Sequence, residues 1–205
     1  MNTDRDRSAA QLALAVGVVA LGSLISLAVF FAIRGPFGAI NDWSIGVFGA
    51  LSALLAFVLY RRGYIEPPGL ATLVTGAAIV GAVIVVVGAA LVITDTTGFL
   101  LAGLVESVGF ALIGLWLIAL SRSMASTSRW PRRLPLLGIV AGIVMAIGII
   151  VIPGVAMGLD DMATAPGWVW IGFIGWLGIF LFYPIWSLWF GRVLRQDTNR
   201  RPTTS

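Results

Sequence analysis

Three residue types are missing from this sequence of 205 residues: cysteine, histidine and lysine. Without cysteine the chain has no disulfides and no thiolate chemistry. The joint absence of cysteine and histidine removes the commonest ligands of zinc, haem and iron–sulfur clusters, so we expect no metal and no other cofactor. The absence of lysine excludes enzymes and retinal proteins that work through a Schiff base.

Charge is also scarce. Only 11% of the residues are charged, whereas 59% are hydrophobic. A soluble domain carries about a quarter charged residues, so most of this surface must face lipid instead of water. All thirteen basic residues are arginine and the net charge is +4. In a membrane protein such residues are topology signals, so we expect the lipid bilayer, and no nucleic acid, as the partner.

The apolar residues form six runs, and each is about as long as the 20 residues that cross a bilayer as a helix. The runs lie at about residues 9–33, 43–60, 69–93, 99–120, 134–157 and 166–190. The sequence therefore predicts an all-α fold, a bundle of six transmembrane helices within residues 9–191. A short cytoplasmic segment (1–8) precedes the bundle, and a polar cytoplasmic tail (192–205) that we expect to be disordered follows it.

The arginines alternate between the ends of the six predicted helices. With the N-terminus inside, twelve of the thirteen arginines fall in inside segments, and only Arg34 falls outside. Such a bias over short loops predicts that both termini are cytoplasmic. We expect a multi-pass protein of the plasma (inner) membrane of a prokaryote.

Small residues recur four positions apart in several predicted helices. Such spacings let helices approach closely in lipid. We favour packing within one bundle over the alternative, a seam between copies in a homo-oligomer. The residues so spaced are Ala77 and Gly81, with Gly88 seven positions further on, then Gly103, Ser107 and Ala111, then Gly138, Gly142 and Ala146.

Glu106 is the one charged residue that the prediction places well inside a helix. A carboxylate at that depth is costly unless it is paired, protonated or in contact with water, so it marks a candidate functional site. Three hypotheses follow. Glu106 binds or relays a cation or proton; it pairs with Arg34, the only outside arginine; or it is protonated and bonded to a serine or threonine. We favour the pair with Arg34, because each charge would offset the desolvation of the other.

Two aromatic residues of the sixth helix, Trp176 and Tyr183, lie deeper than an interfacial belt requires. Seven residues separate them, so they share a helix face. Pro184 would free backbone carbonyls beside Tyr183, and both side chains could line a cavity. We favour the alternative, in which they are core or lipid-facing aromatics.

The predicted outside loops carry four aspartates, Asp42, Asp95, Asp160 and Asp161. An acidic face of this kind could concentrate cations. We favour solvated loop and helix-cap residues instead, because such roles are commoner for loop aspartates.

Two parts of the second half of the chain resemble a broad group of small bacterial six-helix membrane proteins, catalogued as a domain of unknown function. The first part comprises Gly114-Leu115-Trp116-Leu117, Arg129-Trp130-Pro131-Arg132-Arg133-Leu134 and Gly138-Ile139-Val140-Ala141-Gly142. The second is Tyr183-Pro184-Ile185-Trp186-Ser187-Leu188-Trp189-Phe190-Gly191-Arg192. The resemblance implies the six-helix layout and no activity or site residue.

Signatures of an enzyme are absent from the sequence. The prediction contains no pair of carboxylates within the membrane and no phosphate-binding loop after a strand. We therefore expect a non-enzymatic accessory protein, with a membrane-protein partner or a second copy as its binding partner. The alternative is a small transporter or channel for a cation or small solute that uses Glu106.

Overall fold

A computed structural model describes residues 3–200 of the chain and the side chains of residues 7–197. Six helices make up this part, and it contains no β-strand. Their bounds are α1 Thr3–Ile33, α2 Phe37–Tyr60, α3 Pro68–Ile93, α4 Phe99–Ala125, α5 Arg133–Ala156 and α6, which begins at Gly167 and ends at Arg200. All six are long and apolar enough to cross a membrane, which confirms the predicted six-helix fold.

Four predicted boundaries differ from the structure by five residues or more, and one of them is the end of α4, which continues past residue 120 to Ala125. α2 begins at Phe37, six residues earlier than predicted, because Pro36 starts the helix and the apolar residues after it continue the turn. α1 already begins at Thr3, so residues 3–8, which we expected to precede the first helix, are helical.

The predicted tail also differs, since α6 continues through residues 192–200, which we expected to be disordered. The reason is that Leu194 is fully buried one helical turn after the equally buried Phe190, so the packed stripe extends past residue 191. Residues 201–205 lie outside the described residues.

The helices pack as a ring of neighbours with one helix drawn inward. Each helix contacts the next in the chain, and α6 returns to pack along α1. α4 is the most enclosed: 67% of its apolar span is buried, against 28–44% for the other five. Glu106 therefore lies on the helix that the fold surrounds most completely.

Glycines set the closest helix contacts. Gly81 of α3 faces Gly109 of α4, and Gly114 of α4 faces Gly142 of α5, at distances that a β-carbon on either residue would obstruct. Backbones approach this closely in lipid where both surfaces are small. The predicted packing within one chain is thus present at Gly81 and Gly142.

Two helices change their winding next to a proline. In α5 a 3₁₀ segment, Ile147–Val151, immediately precedes the turn that contains Pro153. In α6 a π segment, Gly178–Phe182, immediately precedes Tyr183 and Pro184. Proline lacks an amide N–H and crowds the preceding turn, so the helix must rewind there.

The two ends of the bundle differ in charge. We call the end formed by the loops at residues 34–36, 94–98 and 157–166 the acidic end, because these loops carry Asp95, Asp160 and Asp161. The opposite end, with the loops at residues 61–67 and 126–132 and both ends of the described chain, is the arginine end.

Candidate functional site

A narrow cleft opens between α1, α2, α3, α4 and α6 in the half of the bundle nearer the acidic end. It contains about 320 Å³ of space between atoms, yet it is so narrow that only about one water molecule fits. Carboxyl, amide, aliphatic and aromatic side chains form its walls. The lining residues are Leu27, Asn41, Asp42, Ile45, Val92, Phe99, Ala102, Gly103, Glu106, Phe110, Trp176 and Phe180.

Glu106 lies in this cleft, on the second turn of α4. It follows Phe99, the first residue of the helix, by about 10 Å along the axis at 1.5 Å per residue. The residue is only 5% exposed. Within residues 7–197 its carboxyl group has no hydrogen-bond or ion-pair partner. The hypothesis that a neighbouring serine or threonine holds Glu106 therefore has no support in the geometry.

The close fit around Glu106 comes from a glycine on the neighbouring helix. A β-carbon at Gly88 of α3 would lie 2.5 Å from Cγ of Glu106 and 3.2 Å from the carbonyl oxygen of Ala102. Only glycine therefore leaves room for the glutamate side chain between α3 and α4.

Asp42 is the second carboxylate of the cleft, although its sequence context predicted an outer loop. Because α2 begins at Phe37, Asp42 lies in the second turn of the helix and lines the cleft, whereas we expected it in an outer loop. It is half-buried and lines the same cleft as Glu106. Asp42 therefore belongs to a helix and shares the cleft with Glu106, which corrects its predicted place in a loop.

A short hydrogen-bond chain holds Asp42 in position. Ser23 of α1 donates its hydroxyl to Oδ1 of Asn41 at 2.7 Å, and Nδ2 of Asn41 donates to Oδ1 of Asp42 at 3.3 Å. Ser23 and Asn41 are both buried. The chain fixes the amide, so that its nitrogen points toward the aspartate and leaves the second carboxylate oxygen free.

Arg34 does not take part in the cleft. It lies exposed in the loop after α1, with a backbone φ of 58°, and forms no ion pair with Glu106. The favoured hypothesis of an Arg34–Glu106 pair is therefore wrong. The sequence showed that both residues belong near the same end of the bundle, but α1 ends with Arg34 directed away from the interior, where burying a guanidinium would be costly.

Trp176 of α6 forms one wall of the cleft. Its indole Nε1 donates to Oγ of Ser107 at 3.0 Å, and the Ser107 hydroxyl donates to the carbonyl of Gly103 at 2.7 Å. The ring packs edge-on against Phe173, with centroids 4.5 Å apart, and against Phe180. The hypothesis that Trp176 lines a cavity thus agrees with the structure.

Tyr183 lies elsewhere, deeper in the bundle. It is fully buried and stacks on Trp186 with ring centroids 5.8 Å apart. Phe48 packs edge-on against both Tyr183 and Phe110, at 5.6 and 6.1 Å, and so lies between Tyr183 and the cleft. The favoured interpretation of Tyr183 as a core aromatic agrees with this position, although its hydroxyl, next to Ser52, has no hydrogen-bond partner within the described part of the chain.

The start of α4, which carries Glu106, is capped from another loop. The Asp160 carboxylate accepts hydrogen bonds from the amides of Gly98 and Leu101, the latter at 3.1 Å. Free amides at a helix N-terminus attract a carboxylate in this way. Asp160 therefore has the helix-cap role that we favoured for the loop aspartates.

Comparison with protein-family models, curated proteins and solved structures found no match to this chain. The resemblance to a bacterial six-helix group therefore stays a prediction, and the site must be interpreted from its own chemistry.

That chemistry is two carboxyl groups and one amide in a narrow, largely apolar cleft with no basic residue among its lining residues. Carboxylates in such a position need a proton or a cation to balance their charge. No group of three or more acidic, histidine or cysteine side chains occurs in the described part of the chain. A divalent ion that takes six or more oxygen ligands fits this donor set poorly, whereas a proton or a small monovalent cation fits it well.

Proposed function

We propose that this protein is a non-enzymatic integral membrane protein that carries protons or a small monovalent cation across the plasma membrane of a prokaryote. The observation that carries the proposal is the shared cleft of Asp42 and Glu106, with no basic residue among its lining residues. Glu106 is buried and Asp42 half-buried, and no basic side chain among the described residues pairs with either. Ionisable residues inside a membrane bundle commonly mark ion or proton paths.

The size of the cleft supports a small ion over an organic solute. A space that admits about one water molecule has room for a proton or a dehydrated ion, whereas organic solutes need a pocket of hundreds of cubic ångströms that admits larger groups. Of the two cargo classes that the sequence left open, a cation and a small solute, we therefore propose the cation.

The arginine bias gives the direction in which the cleft opens. Twelve of the thirteen arginines belong to the termini and to the loops of one end, and such loops face the cytoplasm. We infer that both termini are cytoplasmic and that the acidic end faces outward. The cleft then opens toward the outside, where Asp95, Asp160 and Asp161 concentrate cations near its mouth.

The inner side of the cleft is closed by an aromatic layer. Phe110 and Phe180 line the cleft, Phe48 packs against Phe110, and Tyr183 packs against Phe48. Transport requires this layer to separate. The π segment at Gly178–Phe182 carries Phe180 and ends beside Pro184, and such segments are local irregularities at which a helix can rearrange. We propose that α6 moves at this segment.

The experiment is flux into sealed vesicles that contain the purified protein. We expect a pH gradient or a sodium or potassium gradient to drive uptake, and Glu106→Gln to reduce it to the level of empty vesicles, because glutamine keeps the size of the side chain and removes its charge. Asp42→Asn should reduce uptake at least tenfold. Asp95→Asn is the matched control, since it removes an exposed acid at the same end and should leave most of the uptake intact.

Two results would overturn the proposal. One is uptake that survives Glu106→Gln, because the carboxyl group would then lie outside the path. The other is the absence of uptake by folded wild-type protein with every cation tested, which would favour the accessory role. Thermal unfolding of each variant separates a loss of the path from a loss of the fold.

A further inference from the structure

A second site lies at the arginine end, on the opposite side of the membrane from the cleft. A groove with about 1200 Å³ of space between atoms runs between α3 and α4. Its lower part is apolar and its rim is polar. The lining residues are Glu66, Leu70, Val74, Leu115, Ile118, Ala119, Arg122, Ser123 and Ser126.

The groove has the length of one bilayer leaflet. On α4 its residues extend from Leu115 to Ser126, which is about 16 Å along a helix that rises 1.5 Å per residue. The hydrocarbon core of a bilayer is about 30 Å thick, so the whole groove is about as long as one leaflet of that core. The apolar floor on α4, from Leu115 to Ala119, takes up about 6 Å of this length, and the polar rim takes up the rest. Leu70 and Leu115, at opposite sides of the floor, are each about 40% exposed and present their side chains to whatever lies in the groove.

The rim carries two opposite charges that the protein leaves unpaired. Arg122 and Glu66 are both exposed, and neither forms an ion pair within residues 7–197. Ser123 lies between them; its Oγ accepts the backbone amide of Glu66 at 3.3 Å, which leaves its own hydrogen available to a ligand. The guanidinium of Arg122 and the hydroxyl of Ser123 can thus bind an anionic group of a ligand. The carboxylate of Glu66 can bind a cationic group.

Arg129 lies in an adjoining polar recess and, unlike Arg122, already has partners within the protein. Its guanidinium pairs with Asp197 at 3.2 Å and lies over the ring of Trp130, 4.9 Å from the centroid. A ligand at the rim must therefore engage Arg122. The arrangement matches a molecule with a phosphate, a neighbouring ammonium group and an acyl chain.

We propose that this groove binds a phospholipid whose headgroup carries a primary amine, such as phosphatidylethanolamine. Its phosphate lies against Arg122 and Ser123, its ammonium group donates to Glu66, and one acyl chain fills the apolar floor. Glu66 provides the selectivity, because a purely anionic headgroup would be repelled by the carboxylate, and a trimethylated ammonium has no N–H to donate to it. This proposal does not depend on the transport function.

The test is native mass spectrometry of the full-length protein, with phosphatidylethanolamine, phosphatidylcholine or phosphatidylglycerol of identical acyl chains added to the detergent. We expect the first bound lipid to favour phosphatidylethanolamine over phosphatidylcholine by about two- to fivefold, the size typical of one exposed charge contact. Glu66→Gln should abolish that preference, and Arg122→Gln should weaken the binding of all three lipids.

Matched controls use charges that lie outside the groove. Arg195→Gln, at the same end, and Asp95→Asn, at the opposite end, should leave lipid binding unchanged, and all four positions are exposed, so the variants should fold. Equal binding of phosphatidylethanolamine and phosphatidylcholine to the wild type would overturn the proposal, as would a preference that survives Glu66→Gln. Stronger binding of phosphatidylglycerol would also overturn it, because the groove would then select net negative charge.

Discussion

A single added methyl group at Gly88 tests the geometry of the cleft without touching its carboxyl groups. In Gly88→Ala the new β-carbon would lie 2.5 Å from Cγ of Glu106, a contact that rotation of the side chain can relieve only within a narrow space. It would also lie 3.2 Å from the carbonyl oxygen of Ala102, which is backbone, so α3 and α4 must move apart. Overpacking of this kind costs about 1–3 kcal/mol.

The same substitution also replaces a glycine within a helix by alanine, and this replacement on its own stabilises a helix by up to about 1 kcal/mol. Gly76→Ala is the matched control for this gain in helix stability, because Gly76 lies on the same helix and nothing lies within 4 Å of its added β-carbon. We expect Gly76→Ala to be as stable as the wild type or more stable. The difference between the two variants isolates the contact with α4, about 1–3 kcal/mol in favour of Gly76→Ala.

The assay is the thermal unfolding midpoint of both purified variants in one detergent. For a chain of this size 1 kcal/mol shifts the midpoint by about 2–4 °C, so Gly88→Ala should unfold at least about 2 °C below Gly76→Ala. If Gly88→Ala is as stable as its control, α3 does not press on Glu106 and the described cleft is wrong. Under the proposed function Gly88→Ala should also slow cation uptake more than Gly76→Ala does.

Three further predictions concern the cap, the aromatic layer and the topology. Asp160→Ala should lower stability by about 0.5–2 kcal/mol relative to the wild type, because it frees two amides at the start of α4; an unchanged unfolding midpoint would contradict the cap. Phe48→Ala should cost about 3–5 kcal/mol as a buried aromatic, measured by the same unfolding assay, and a loss under about 1 kcal/mol would contradict its packing. The chain contains no native cysteine. A single cysteine at Thr96 should therefore react with an impermeant maleimide on intact cells, and one at Ser126 should not; the reverse pattern would invert the topology.

The number of helices could be predicted from the sequence because lipid imposes a length on every span. A backbone in hydrocarbon must satisfy its own hydrogen bonds, so each crossing needs an unbroken helical run of about 20 apolar residues. Those runs are visible without any tertiary information, and so is a charge in the middle of one. For that reason the sequence alone is enough to mark Glu106 as a candidate site.

Asp42 could not be placed in the same way, because its position depends on a partner from another helix. In the sequence Asn41-Asp42 interrupts the apolar run and is typical of a loop. In the bundle Ser23 donates to Asn41, which lets two polar residues lie within a helix that has already begun. The apolar residues from Phe37 to Ile40 were the one available signal of an earlier helix start.

The partner of Glu106 was misjudged for a related reason. Counting charges by leaflet shows which residues share a depth, but it gives no information on which side of a helix each one faces. Arg34 and Glu106 do belong near the same end, yet the turn at Gly35, where the backbone φ is +78°, takes the chain into α2 and leaves Arg34 outside. The spacing of small residues along α3 could not show that Gly88 makes room for Glu106 either. That role depends on how α3 is aligned along α4.

The unpaired carboxyl pair is also the strongest argument against a purely structural role for Glu106. A glutamine would fill the same volume against Gly88 without the free energy of desolvating a carboxylate, so packing gives no reason for an acid at this position. A structural acid would need a basic or hydroxyl partner to offset that free energy, and the described residues give it none. Asp42 makes the cost larger, because two carboxylates in one apolar cleft repel each other. Under the proposed function, a proton or cation that enters from the acidic end would remove both costs, and its binding would be reversible so that the pair can act in transport.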